Sequence, residues 1–217
     1  DAALGRWRAA RNGGGVGPAL TPAPSNVVIV DPRTNIPGTL VFVKQGNLWT
    51  QTGNRAIQVT SSGAGSMPSW SPDGQWIYYI ETVPERGYFP GGGDSAARYA
   101  MEVPILTRIR PDGSGAEKLK SGRYRSGPYT WFFWLRQPRV SPDGRTVALL
   151  SDAPDPSKSD VVLQLFDVKT GKLRPTGVPE IAPLGHQDPA WRPDGKLLLY
   201  VKNGRDGARG APVIYRF

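Results

Sequence analysis

Pro68-Ser69-Trp70-Ser71-Pro72-Asp73-Gly74 is followed by the apolar run Gln75-Trp76-Ile77-Tyr78-Tyr79-Ile80. The arrangement returns at Pro138-Arg139-Val140-Ser141-Pro142-Asp143-Gly144, ahead of Thr146-Val147-Ala148-Leu149-Leu150. It returns again at Pro189-Ala190-Trp191-Arg192-Pro193-Asp194-Gly195, ahead of Leu197-Leu198-Leu199-Tyr200-Val201. Each copy reads as a short strand, a tight turn and a second strand. Proline presets φ at the first central turn position, aspartate accepts from neighbouring backbone, and glycine takes positive φ without steric cost. The flanking β-branched and aromatic residues suit a pleated surface. Asp73, Asp143 and Asp194 are therefore read as turn formers rather than as catalytic acids or metal ligands.

Three copies of one hairpin define a repeat architecture, and the period points to propeller blades. The expected fold class is all-β: a β-propeller of four-stranded antiparallel blades near residues 26–62, 68–121, 138–176 and 189–217, with residues 1–25 as an N-terminal extension. The 217 residues give room for about four blades. Val27-Val28-Ile29-Val30 is an apolar strand that either opens the first blade or closes the last. The extension, with Gly13-Gly14-Gly15 and Pro22-Ala23-Pro24, has linker composition. It is expected to lead to an upstream anchor or to dock through Arg6, Trp7 and Arg8.

Pro68-Ser69-Trp70-Ser71-Pro72-Asp73-Gly74 with its apolar strand resembles the repeat of TolB-like β-propellers, and the same hairpin occurs in propeller domains of the prolyl oligopeptidase family. The resemblance runs from about Gly38 to Phe217. It implies a propeller that usually has six blades, so the chain is expected to be a piece of a larger one. It also implies a periplasmic or cell-surface location. One architecture hosts many activities, so the resemblance alone does not choose a function.

The formal net charge is +9, and basic residues crowd between Leu106 and Arg145. That density predicts a solvated basic surface, or attraction to an anionic surface, an acidic glycan or an acidic protein. No nucleic-acid recognition motif accompanies it, which argues against that partner. The chain has no cysteine, which excludes disulfides, thiolate nucleophiles and cysteine-bound metals. Gly 27 and Pro 22 suit many turns and argue against long helices. No apolar run is long enough to span a bilayer as a helix.

Blade topology sorts the connections. First–second and third–fourth turns lie on one face of a propeller, and second–third loops and blade-to-blade links on the other. The Pro-Asp-Gly turns should share a plain face. The opposite face should carry two long inserts, Thr82 to Glu102 and Gly122 to Gln137, with the Asp152–Asp160 loop and the link bearing His186. Function usually lies on such loops. The partner-binding residues expected there are Tyr88, Phe89, Tyr99, Tyr124, Arg125, Tyr129, Trp131 and Trp134, since aromatic residues and arginine are the usual interface anchors. Phe132 and Phe133 are read as an inner pair that packs between blades, and Gly91-Gly92-Gly93 as a hinge of the first insert.

An enzyme is not expected. Nucleophilic catalysis needs a base beside the nucleophile, whereas His186 is the one histidine and no Gly-x-Ser-x-Gly elbow exists. His186 is read as a backbone-bonding residue, and no catalytic, cofactor or metal site is assigned. The expected function is a non-enzymatic protein-interaction module of the bacterial cell envelope that binds a protein partner through its loop face or its axial channel. The alternatives are an accessory propeller of a larger peptidase and a carbohydrate-binding propeller.

Overall fold

The computed structural model describes residues 27–29, 36–90, 96–156, 159–178, 185–203 and 212–216. They form four antiparallel sheets and no helix. The first holds β1 (Val27–Ile29), β2 (Ile36–Lys44), β3 (Asn47–Gly53) and β4 (Arg55–Gln58) in the order β1-β4-β3-β2. The second is built on β5 (Gly65–Trp70), β6 (Ile77–Pro90), β7 (Ala96–Ile109) and β8 (Glu117–Ser121), and also takes in β9 (Arg123–Ser126) and β10 (Tyr129–Phe132). The third is β11 (Arg136–Val140), β12 (Thr146–Ser151), β13 (Val162–Asp167) and β14 (Leu173–Pro175), in sequence order. The fourth is β15 (His186–Trp191), β16 (Leu198–Asn203) and β17 (Pro212–Arg216).

The central strands β12 and β13 are buried along nearly their whole length because they are covered on both faces. Side chains alternate across a strand, so one strand feeds two cores. Val147 and Leu149 of β12 enter a core shared with Tyr78, Ile80 and Leu106 of the second sheet. Ala148 and Leu150, the intervening residues, enter another with Leu198 and Tyr200 of the fourth. In β6 the same alternation sends Tyr78 and Ile80 toward the third sheet, and Ile77 and Tyr79 toward Leu48 of the first. β5 touches β11, and β11 touches β15. Sheets packed face to face with their leading strands side by side are propeller blades.

β1 corrects part of the sequence reading. It belongs to the first sheet, yet it neither begins that sheet at its inner side nor closes the fourth. It pairs antiparallel with β4 at the outer edge, Val28 opposite Ala56. The docking expectation for Arg6, Trp7 and Arg8 lies outside the described residues.

The Pro-Asp-Gly turns work as their residue types require. Asp73 Oδ1 accepts the Ser71 hydroxyl at 2.5 Å and the Gln75 N–H at 3.1 Å, and Ser71 Oγ accepts the Trp76 N–H at 2.9 Å. Ser141 and Asp143 repeat this with Arg145 and Thr146. In the third copy Arg192 replaces the serine and donates from Nε to Asp194 Oδ1 at 2.8 Å. A Cβ at Gly195 would lie 3.7 Å from Pro142 Cδ, and Pro72, Asp73, Pro142 and Asp143 line one cleft. The turns thus share one face.

The hydroxyl of Ser71, then the N–H of Gln75, hold the Asp73 carboxyl below its ordinary value, and Ser141 and Arg145 do the same for Asp143. A lowered folded pKa means the unfolded chain binds more protons between the two values, so this contribution is present above the unfolded value near 3.8 and lost as pH falls through the folded one. The urea midpoint should therefore fall between pH 4.5 and pH 2.5, and the fall should be shallower in an Asp73→Asn, Asp143→Asn variant. Equal slopes in both proteins would refute this origin.

Candidate interaction surface

The first insert is not a loop. β6 and β7 pair without interruption from Ile77 opposite Ile109 to Pro90 opposite Ala96, well beyond the body of the blade. The expected glycine hinge, Gly91 to Gly93, lies outside the described residues. The second insert is a hairpin, β9 with β10, registered from Tyr129 opposite Ser126 to Phe132 opposite Arg123. It joins the end of β6 where Thr130 lies opposite Tyr88. The two inserts fuse into an accessory sheet ordered β7-β6-β10-β9.

Two glycines permit the fusion. A Cβ at Gly87 would stand 2.6 Å from Met101 Sδ and 2.8 Å from the Thr130 carbonyl oxygen, so β10 can lie on β6 because residue 87 has no side chain. Gly122 donates its N–H to the Pro104 carbonyl at 2.8 Å, and its own carbonyl accepts the Phe133 N–H at 2.8 Å. A Cβ there would meet the Phe133 oxygen at 2.5 Å. Phe133 and Leu135 then plunge into the core between the second and third blades. Phe133 matches the expected inner packing, whereas Phe132 stays half-buried.

The third blade clasps this sheet from the side. Asp152 is 6% exposed, and its Oδ1 accepts the Trp134 N–H at 2.7 Å. Burial, opposed by the Trp134 hydrogen bond and aided by the nearby Asp160 charge, pushes the Asp152 carboxyl above its usual range. Tyr124 donates its hydroxyl to Asp155 Oδ1 at 3.3 Å. The Asp152–Asp160 loop and both inserts therefore share one side, as the topology required. Sequence reasoning missed Asp152 as a support: one aspartate after a strand gives no signal of a partner 18 residues earlier.

Seven of the eight expected contact residues have described side chains. The Tyr88 and Tyr129 rings stack at 6.4 Å. Tyr99, 41% exposed, meets Trp131 edge-on at 6.0 Å, and Trp131 stacks on Phe132 at 5.2 Å. Phe132 meets Trp134 edge-on at 5.0 Å, and Trp134, 43% exposed, has the Arg136 guanidinium 5.5 Å from its ring centre. Arg125 is exposed on β9. Tyr124 is tied to Asp155. Phe89 pairs through its backbone with Ala97, and its side chain lies outside the described residues. A cleft of about 240 Å³ beside Trp134 is lined by Met67, Ile80, Pro104, Phe132 and Leu135, with Glu102 at its polar side.

Part of the basic charge is neutralised locally. Arg123 pairs with Glu85, and Arg108 pairs with Glu117 while lying 4.5 Å from the Trp76 ring centre. Arg86 and Arg125, both exposed on the accessory sheet, have no ion pair among the described residues. His186 is 3% exposed, and its Nδ1 accepts the Leu163 N–H at 2.9 Å, the backbone-bonding role its position suggested.

No family profile matches the chain. It is 30% identical over 145 residues to the uncharacterized protein Atu1656 of Agrobacterium fabrum, covering 64% of this chain and 40% of that relative's length. Among solved structures it is similar to a candidate TolB from Agrobacterium tumefaciens, at 14% identity and a TM-score of 0.40, covering 87% of this chain and 75% of that one. It is also similar to an oligogalacturonate lyase from Vibrio parahaemolyticus, at 14% identity and a TM-score of 0.39, covering 78% and 55%.

Proposed function

We propose that this chain is a non-enzymatic propeller module of the bacterial cell envelope that holds a protein partner on its accessory sheet. One observation carries the reading. The aromatic and arginine side chains stand on strands fixed to the blade core by Phe133 and Leu135, except Trp134, which lies on the short link between β10 and β11 and is held there by its N–H bond to Asp152. A surface ordered before binding loses little entropy on association. Tyr99, Trp134 and Arg125 are the exposed anchors, and the cleft beside Trp134 accepts an apolar side chain. Trp131 is packed between Tyr99 and Phe132, which favours a protein contact over a flat platform for a sugar ring. The envelope location rests on the likeness of the repeats to TolB-like propellers.

Affinity capture from a solubilised envelope extract tests this, with wild type beside a Tyr99→Ala, Arg125→Ala, Trp134→Ala variant. Interface anchors of these types each contribute about 2 kcal/mol or more, and about 1.4 kcal/mol is tenfold. Recovery of the partner should drop at least ~100-fold, with circular dichroism and melting little changed. Equal recovery of the same proteins by both would end this assignment.

A further inference from the structure

The inner strands of three blades share one device. β5, β11 and β15 each place a non-glycine residue at positive φ directly before a proline: Met67 (φ 52°), Gln137 (φ 49°) and Asp188 (φ 48°). Pairing with the next strand slips register at each of these positions. The side chain at the slip then reaches the following inner strand. Met67 Sδ accepts the Gln137 N–H at 3.2 Å, and Gln137 Oε1 accepts the Asp188 N–H at 2.7 Å. Three residues on, Trp191 donates its indole N–H to the Arg139 carbonyl of the preceding inner strand at 3.0 Å. β11 is thus latched to β5 at the slip, and β15 is latched to β11 both at the slip and at the aromatic position.

The first blade breaks this series. The Gly65 N–H donates to the Gly46 carbonyl as the His186 N–H donates to that of Val161. Each bond joins the head of an inner strand to the start of the third strand of the blade before it. By that correspondence β3 matches β13, and β2 matches β12. β12 lies between β13 and the inner strand β11, whereas β2 pairs with β3 on one side and with no strand on the other among the described residues. β1 sits at the far end of the sheet, on β4. Trp70, the counterpart of Trp191, has a buried indole N–H with no acceptor among the described residues. Leu40 and Val43 of β2 are 49% and 39% exposed. An unpaired buried donor and an unpaired sheet edge both call for backbone carbonyls.

We infer that the free edge of β2 is a strand-acceptor site, filled by an extended segment of a partner polypeptide carrying the residue-proline-residue-aromatic pattern of Met67–Trp70 and Asp188–Trp191. Its backbone extends the first sheet by strand addition. The carbonyl before its aromatic position takes the Trp70 indole proton, as that of Arg139 takes Trp191's. Its side chain at the slip reaches toward the Met67 N–H, as Met67 reaches Gln137. The site stands apart from the accessory sheet, and neither reading depends on the other.

The probe is a capped synthetic peptide with the sequence of residues 185–192, titrated into the ¹⁵N-labelled chain, with the Trp70 indole resonance assigned from a Trp70→Phe variant. Saturable binding should shift that resonance downfield, slow its exchange and protect amides of residues 39–44. Trp70→Phe should weaken the peptide about 5-fold, the equivalent of one net hydrogen bond. An unmoved Trp70 resonance at millimolar peptide would overturn the inference. So would protection of residues 39–44 that rises with protein concentration without peptide, since a second copy would then fill the edge. A disulfide formed between Val28→Cys and Leu40→Cys would overturn it in favour of β1.

Discussion

Gly46→Ala is expected to lower the stability of the folded chain by about 3 kcal/mol, from left-handed backbone strain plus steric overlap. Gly46 stands at φ 69°, and a Cβ there would fall 1.9 Å from the Gly63 carbonyl oxygen. The approach is tight because the turn between β2 and β3 is hooked to the link that enters β5. The Gly65 N–H donates to Gly46 O at 2.7 Å, and the Gly63 N–H donates to Asn47 Oδ1 at 2.8 Å. No flexible side chain can yield, since the obstacle is backbone. Gly144 is the control: its φ is 72°, nothing lies within 4 Å of its Cβ position, and alanine there should cost about 1 kcal/mol. Urea unfolding of the two variants checks the difference. Equal losses would mean that φ alone matters and the hook does not.

Phe166→Ala should cost about 3–5 kcal/mol, the usual range for a buried phenylalanine. Phe166 is 1% exposed and lies in the core shared by Tyr78, Leu106, Val147, Leu149 and the two residues that root the accessory sheet, Phe133 and Leu135. The cavity therefore opens between two blades and beneath the candidate interaction surface. Thermal unfolding followed by far-ultraviolet circular dichroism and by tryptophan fluorescence should shift together. A fluorescence change that precedes the backbone signal would show that the accessory sheet melts by itself and is less firmly rooted than its packing indicates.

The blades were legible because turn chemistry and strand composition are local. Pro72-Asp73-Gly74 and its two copies specify their geometry through residues within five positions, and the hydrogen bonds of Ser71 and Asp73 stay inside that span. That the Pro-Asp-Gly turns gather together, and that Asp152 and Asp155 stand beside the inserts, also followed, because alternating antiparallel strands leave one choice. The inserts were harder. Thr82 to Glu102 carries Gly87 and Gly91 to Gly93 and reads as a loop, yet residues 82–90 and 96–102 are strand that pairs with itself as β6 and β7, and β10 joins it at Thr130 opposite Tyr88, 42 residues apart. The placement of Val27–Ile29 was equally hidden: a three-residue apolar strand fits any open edge, and its pairing with Ala56 and Ile57 is set by tertiary packing. Of the contact residues, their shared side was readable, but the turning of Tyr124 toward Asp155 and the packing of Trp131 were not, since both partners are remote in sequence.

The absence of cysteine allows a clean test of the accessory sheet, on which the functional account stands. A Tyr88→Cys, Thr130→Cys variant places thiols on residues directly opposite each other in β6 and β10. Such pairs have Cβ atoms about 4.5–5.5 Å apart, near the reach of a disulfide. Mild oxidation should close the bond in nearly all molecules, seen as faster migration on a non-reducing gel and loss of two titratable thiols. A Tyr88→Cys, Arg125→Cys control, one strand further away, should stay reduced. Free thiols in the first variant, or equal closure in both, would contradict the fusion of the two inserts into one sheet.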